Sequence, residues 1–288
     1  MKTNLDVYIA NKKKHETKVL IGGIIIVIGA LGLLVPDGNG MPVLIAGLVI
    51  GGIIAGIGLG KFSKLSKQFK TEVLTGLVDT FVDNGYFDPN RGLDPVQVYS
   101  TEFLKRADRF HTEDYLSGSM EGVSFVSSDV KLEEKHVRQT KNGTETYYET
   151  YFLGRVFIFD FNKSFDGYLQ VLENNRPTVN RGYQKVKLES VAFNKKFKTY
   201  SSNEHSAFYV LTPHFMEALM RFEQKNKGKI YFSFLNNKLF IGINNFKDTF
   251  ELRLFGKLDE RVFDEFKNDL LVIKEVIMEL KLNNNIFK

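Results

Sequence analysis

Residues 19–35 and 41–60 form two uncharged, strongly apolar runs with only Pro36-Asp37-Gly38-Asn39-Gly40 between them. At about 1.5 Å per residue, helices of these lengths reach most or all of the way across a hydrocarbon layer about 30 Å thick. The sequence therefore predicts a transmembrane helical hairpin, with the lipid bilayer as the solvent for the first fifth of the chain.

Charge divides along the same line. The chain carries a net +5, of which +2 falls in residues 1–60 and +3 on the 228 residues that follow. That balance is not the basic excess of a nucleic-acid-binding domain, and no nucleic acid is expected as a partner. All 26 Phe lie beyond the hairpin and Trp is absent, so the core is expected to pack on phenylalanine rings. Without Cys there is no disulfide, thiolate metal ligand or cysteine nucleophile, in keeping with a reducing cytosol.

Lys12, Lys13, Lys14 and Lys18 precede the first run and Lys61, Lys64, Lys67 and Lys70 follow the second, while the turn holds only Asp37. Positive residues stay on the cytoplasmic side, so both termini and the large C-terminal domain are expected in the cytosol at the inner membrane. A cleaved signal peptide shares the basic flank and apolar core. Here, though, no A-x-A site follows the run and a second apolar run comes at once. Gly52, Gly56 and Gly60 recur every four positions on one helical face, where backbones can approach closely. That face either packs against Gly22, Gly29 and Gly32 of the first helix or forms a seam between copies of the chain. Neither run contains an ionisable residue, which argues against a proton relay, ion site or voltage sensor.

Beyond the membrane, residues 61–84 keep a helical period through Phe62, Leu65, Phe69, Val73, Leu77 and Phe81, predicting an amphipathic stalk. Residues 85–92 read as turn and loop, and Asp88 and Asn90 make only a superficial calcium loop because the acidic twelfth ligand is missing. Residues 123–138 and 147–161 predict two strands around Asn142-Gly143, and 229–235 and 238–243 predict a tight antiparallel pair around Asn236-Asn237. Thr212-Pro213 starts a helix that Gly228 ends. A last helix over 259–282 carries Phe263, Phe266, Leu270, Ile273, Ile277 and Leu280 as a seam that either oligomerises or faces the core. The fold class is α+β: a two-helix hairpin, then one cytosolic domain, residues 85–288, of mostly antiparallel strands with packing helices.

Candidate chemistry is sparse. The five histidines, His15, His111, His136, His205 and His214, are scattered without an H-x-x-x-H pair. His111 with Glu113 and Asp114 is the most reactive-looking local group, followed by Glu204-His205; each reads more simply as a surface or capping residue. No G-x-S-x-G, Walker loop or dinucleotide fingerprint occurs in the soluble part. No catalytic, cofactor-binding or metal residue is assigned, and no cofactor is expected. The loop over 173–185, with Asn174, Asn175, Arg176, Pro177, Arg181 and Gly182, is either an anion-receiving loop or a plain connection.

Several segments together resemble the bacterial membrane-protein family of domain of unknown function 3137. They are Phe110-His111-Thr112-Glu113-Asp114-Tyr115-Leu116-Ser117-Gly118, the stretch from Phe152 through Val156-Phe157-Ile158-Phe159-Asp160-Phe161-Asn162-Lys163 to Asp166-Gly167, and Lys187-Leu188-Glu189-Ser190. Tyr200-Ser201-Ser202-Asn203-Glu204-His205 through Thr212-Pro213-His214-Phe215-Met216-Glu217 is the strongest, followed by Ile230-Tyr231-Phe232-Ser233-Phe234 and Leu239-Phe240-Ile241-Gly242-Ile243. The resemblance implies a membrane-anchored protein without an assigned activity, associated with LemA-type membrane proteins as partners. It transfers no catalytic residue.

The reading that follows is an interaction or scaffold module tethered to the cytoplasmic face. The alternatives are an enzyme acting on an inner-leaflet or lipid-derived substrate, with His111, Asp114 and His205 the first residues to test, and a pore of oligomerised hairpins. A homo-oligomer remains open.

Overall fold

A computed structural model describes residues 2–35, 40–141, 143–160, 167–173, 177–178 and 182–283, with side chains from residue 5 onward. The hairpin tip Pro36-Asp37-Gly38-Asn39, the expected turn residue Asn142, the family-like Asn162, Lys163 and Asp166, and the loop residues Asn174, Asn175, Arg176 and Arg181 lie outside the described residues. The fold is α+β: two long apolar helices, then an antiparallel nine-stranded sheet with helices. The chain divides into a helical unit, Met1–Val73 with Phe250–Phe266, and a sheet unit, Leu74–Thr249 with Lys267–Lys288.

In the helical unit, α1 (Lys2–Ala30) ends in a 3₁₀ turn (Leu31–Leu34), and α2 (Met41–Phe81) contributes its residues up to Val73. Both helices are long and apolar enough to cross a membrane. Leu20, Ile24, Val27 and Ile28 of α1 and Val43, Ile45, Ile50 and Ile53 of α2 are about half exposed.

What α1 and α2 bury against each other is glycine. A Cβ on Gly29 would stand 2.7 Å from the Gly47 Cα, and one on Gly22 would stand 2.6 Å from the Gly51 carbonyl oxygen. The α2 face that meets α1 is therefore Gly47, Gly51 and Gly58, while Gly40, just before α2, lies against Gly32 of the 3₁₀ turn. The Gly52, Gly56, Gly60 line is open, with nothing within 4 Å of a Cβ at any of the three. Helical geometry explains the correction: at about 100° per residue the Gly47, Gly51, Gly58 stripe lies roughly 160° around the helix from the Gly52, Gly56, Gly60 line.

The lysine flanks also divide. Lys13, Lys14, Lys61, Lys64 and Lys67 are exposed, but Lys12 and Lys70 are buried at 4% and 1% exposure. Lys12 pairs with Glu16 and donates to the Gly256 carbonyl at 2.7 Å, and Lys70 pairs with Glu251. These two charges are satisfied inside the unit, so they do not serve the headgroup region. Beside them Phe69 gathers Tyr8, Phe263 and Phe266 at ring separations of 5.1, 5.7 and 6.1 Å.

The sheet unit orders its strands β1-β2-β3-β4-β9-β8-β5-β7-β6, every pair antiparallel. These are β1 (Asp83–Asp88), β2 (Arg109–Met120), β3 (Val123–Thr140), β4 (Gly143–Asp160), β5 (Leu169–Glu173), β6 (Gln184–Val186), β7 (Phe197–Ser201), β8 (Lys229–Leu235) and β9 (Lys238–Asn244). The β8–β9 turn falls at Asn236 and Asn237, whose φ of 49° and 58° are those of a two-residue hairpin turn with both centres left-handed. The loop expected over 85–92 is in part a strand: Tyr86, Phe87 and Asp88 pair with β2, since two adjacent aromatic residues favour a pleated surface over the turn that flanking Gly suggests.

Both faces of the sheet are buried. On one, Phe125, Phe157, Phe159, Phe232 and Phe234 pack with α6 (Pro213–Lys225) and with Leu270, Ile273, Ile277 and Leu280 of α7 (Glu260–Glu279) and the residues just after it. The apolar face of that last segment is spent within the chain. On the other face, Leu93, Phe103 and Leu104, with Val98 of the short helix α3 (Pro95–Tyr99), cover Val130, Leu132, Phe152 and Val156. Eight of the twelve largest fully buried side chains among the described residues belong to this unit and all eight are Phe, so ring packing carries its core.

Replacing Gly47 by Leu is expected to cost about 1–3 kcal/mol of hairpin stability, as overpacking does, while Gly52→Leu stays within about 0.5 kcal/mol. Unfolding midpoints in mixed detergent titrations of the two variants check this.

Candidate functional site

The most polar constellation in the sheet unit begins with a bulge. Glu113 pairs with Asp129 and Leu116 with Ser127, so Asp114 and Tyr115 together oppose Ser128. A bulge of this kind re-aims a side chain, and Asp114 adopts φ 58°, a left-handed conformation that Asp tolerates better than most residues. Across β3 the sequence Ser127-Ser128-Asp129 places three polar residues, all less than 5% exposed, in the middle of a buried strand. Ser128 accepts the Leu93 N–H at 3.1 Å on one face, while Ser127 and Asp129 lie on the other.

Arg155 of β4 stands directly opposite Asp129 and is 5% exposed. Its Nη1 donates to Asp129 Oδ1 at 3.2 Å, its Nε and Nη2 to the Ser127 hydroxyl at 3.3 Å, and its Nη2 to the Asp114 carbonyl at 3.2 Å. Asp129 Oδ2 accepts the Thr249 N–H at 2.6 Å. The exposed Asp248 completes a set in which carboxylate oxygens of Asp114, Asp129 and Asp248 lie within 4.8 Å of one another.

Three carboxylates at this separation offer the oxygen donors that a hard cation uses. Arg155 and the Thr249 amide, however, already engage both Asp129 oxygens, so a metal ion there would lie close to a guanidinium that already neutralises this carboxylate. Chemically the cluster is a four-way latch joining the β2 bulge, β3, β4 and the chain after β9.

The residues singled out from sequence are not gathered into one site. Asp114 is fully buried, but His111 is 66% exposed by side chain and meets Glu113 at 3.4 Å. His205 sits in α5 (Glu204–Val210), directly after β7, and β7 is six strand positions from β2. At about 4.8 Å per strand that is a separation of roughly 29 Å, too far for shared acid–base chemistry. Asn203, just before His205, caps α5 by accepting the Ser206 N–H. Glu173, at the start of the suspected anion loop, accepts the Ile230 N–H at 3.1 Å and pairs with Lys196 at 3.1 Å.

Sequence reasoning missed Arg155 and Asp129. The available signal was Arg155, a lone charge in the apolar stretch 152–159, which asks for a buried partner; Asp129, following Ser127 and Ser128 in a strand that also carries Lys131 and Glu133, is not marked as that partner.

Residues 150–282 match the model of the family described as protein of unknown function, DUF3137, the family that the sequence resembles. The match runs from within β4 to just past the end of α7 and leaves out the hairpin, residues 110–118 and the first seven residues of β4. No curated protein matches the chain. Among solved structures, the mycobacterial trehalose monomycolate transport factor A, TtfA, is similar over 65% of this chain and 88% of that one, at 9% identity and a TM-score of 0.34.

Removing the guanidinium by Arg155→Met is expected to destabilise the protein by about 3–5 kcal/mol, because buried carboxylates lose their counter-charge. Asp248→Asn, at an exposed position, is expected to cost less than about 1 kcal/mol. Urea midpoints of the purified full-length variants test both, and a chelator is expected to leave the wild-type midpoint unchanged.

Proposed function

We propose, on the premise that residues 150–282 carry the DUF3137 fold, that this chain is a membrane-anchored interaction module whose sheet domain works at the cytoplasmic face. The tether is the pair of apolar helices, and the exposed Lys13, Lys14, Lys61, Lys64 and Lys67 beside them support a cytoplasmic position for both termini. Anchoring raises the effective concentration of the domain near other membrane proteins. The LemA-type proteins that the family resemblance implies are one such class.

The observation that carries the reading is a ribbon. Pairing of β2 with β3 ends at Arg109–Glu133, and pairing of β4 with β9 begins at Gly154–Asn244, but β3 and β4 continue together to Thr140–Gly143. Residues 134–140 and 143–149 therefore form a two-stranded arm with open edges, mostly exposed. Two strands alone are marginal in water, and this arm is buttressed at its base. Asp108 accepts the Lys135 N–H at 2.7 Å, and the Arg109 guanidinium lies 3.3 Å from the centre of the Tyr148 ring. Beyond it, Val137 at 59% and Tyr147 at 47% exposure offer apolar contact on opposite faces.

Affinity purification of the full-length protein from mild detergent tests this. A membrane protein is expected to copurify in stoichiometric amount, and Val137→Glu with Tyr147→Glu is expected to reduce its recovery by about tenfold at unchanged bait abundance. Recovery of the same protein in the same amount by the double variant, or of nothing above an untagged control, would overturn the reading.

A further inference from the structure

The sheet face that carries Phe152 and Tyr231 is covered by the chain running through Leu93 to Leu104, and where this cover ends a cavity of about 560 Å³ opens. That volume is in the range of sites that take small organic ligands. Its floor is aromatic. Phe103 stacks on Tyr231 with ring centres 5.5 Å apart and planes 19° from parallel, and Phe152 lies 6.5 Å from Tyr231. Gly242 makes this possible, since a Cβ there would stand 2.6 Å from the Phe103 ring. Asn244 fixes one wall, accepting the Leu153 N–H at 3.1 Å and donating to the Tyr151 carbonyl at 2.9 Å, so its amide serves the backbone.

The lip has a different character. Lys105, Thr178, Lys229, Asn245 and Phe246 are its exposed side chains, Lys105 and Lys229 its cations, and no acidic residue lines it among the described residues. Lys105 is engaged by Glu134 at 2.5 Å, whereas Lys229 has no ion-pair partner among the described residues. Phe246 leaves 62% of its surface in solvent beside the opening. An apolar, ring-lined floor below an unneutralised ammonium selects one kind of molecule: a flat or chain-like apolar body with a negative end.

We propose that this cavity binds a small organic anion, its apolar body against Phe103 and Tyr231, its carboxylate or phosphate head at Lys229, and Phe246 closing over it. The site adjoins the base of the β3–β4 arm through the Lys105–Glu134 pair, but its existence does not depend on the interaction reading above. An aromatic acid and a lipid-derived acyl acid share this chemistry, and the probes distinguish them.

The test uses the full-length protein in phosphatidylcholine nanodiscs and fluorine NMR line widths of two probes, 6-fluoro-2-naphthoate and 8,8,8-trifluorooctanoate. At least one probe is expected to broaden beyond its behaviour with empty nanodiscs, and the stronger of the two identifies the aromatic or the acyl source. Lys229→Glu is expected to weaken that probe by about tenfold, a change of one charge contact. Phe246→Ala is expected to weaken it by about threefold. Both positions are exposed, so neither substitution threatens folding. Absence of binding by both probes, or equal binding by wild type and Lys229→Glu, would overturn the proposal.

Discussion

A sheet buried on both faces gives its strands no solvent in which to leave a charge, and the way this chain meets that constraint governs its architecture. Asp129 and Arg155 lie opposite one another on β3 and β4, and between them they also reach the Ser127 hydroxyl, the Asp114 carbonyl and the Thr249 amide. Replacing such a pair by apolar residues is often neutral, so its value lies less in stability than in specifying which strands meet and in what register. Here the specified partners include the bulge at Asp114 and the return of the chain at Thr249.

The apolar helical end of the molecule, long enough to cross a membrane, obeys another rule. Between helices with lipid around them burying leucine would gain nothing, since lipid tails are as apolar as leucine, and close backbone approach is the available source of attraction. Glycine at 22, 29, 47 and 51 supplies it, leaving the branched side chains of both helices turned outward. The same chain thus packs by ring volume in its sheet unit and by the absence of side chains in its helical hairpin.

How much of this was legible in the sequence depended on how local its cause is. The β8–β9 hairpin is set by Asn236-Asn237, and the start of α6 by the Thr212 cap with Pro213 after it, and both were readable. The Asp129–Arg155 pair was not. Counting back from Thr140 opposite Gly143 sets Asp129 against Gly154, and only the irregularity between Leu132 and Glu133 moves it to Arg155. A bulge inside a long strand leaves no residue signature as strong as a turn does. Lys70 misled for the opposite reason: its spacing matches a headgroup flank, and its partner Glu251 is 181 positions away in sequence. The cavity was likewise invisible, since Phe103, Phe152 and Tyr231 come from three distant segments.

The two outer strands of the sheet are short, β1 with six residues and β6 with three, which limits the main-chain surface a stray polypeptide finds there. The arm formed by β3 and β4 departs from that economy, since beyond the Lys135 N–H, which Asp108 accepts, no strand pairs with either of its outer edges among the described residues. Lys135 and Arg138 punctuate its β3 edge and Glu145 and Glu149 its β4 edge, so two copies meeting β3 to β3 or β4 to β4 would set like charges against one another. Self-templated growth through those pairings is thereby discouraged, while a strand of complementary charge meets no such barrier.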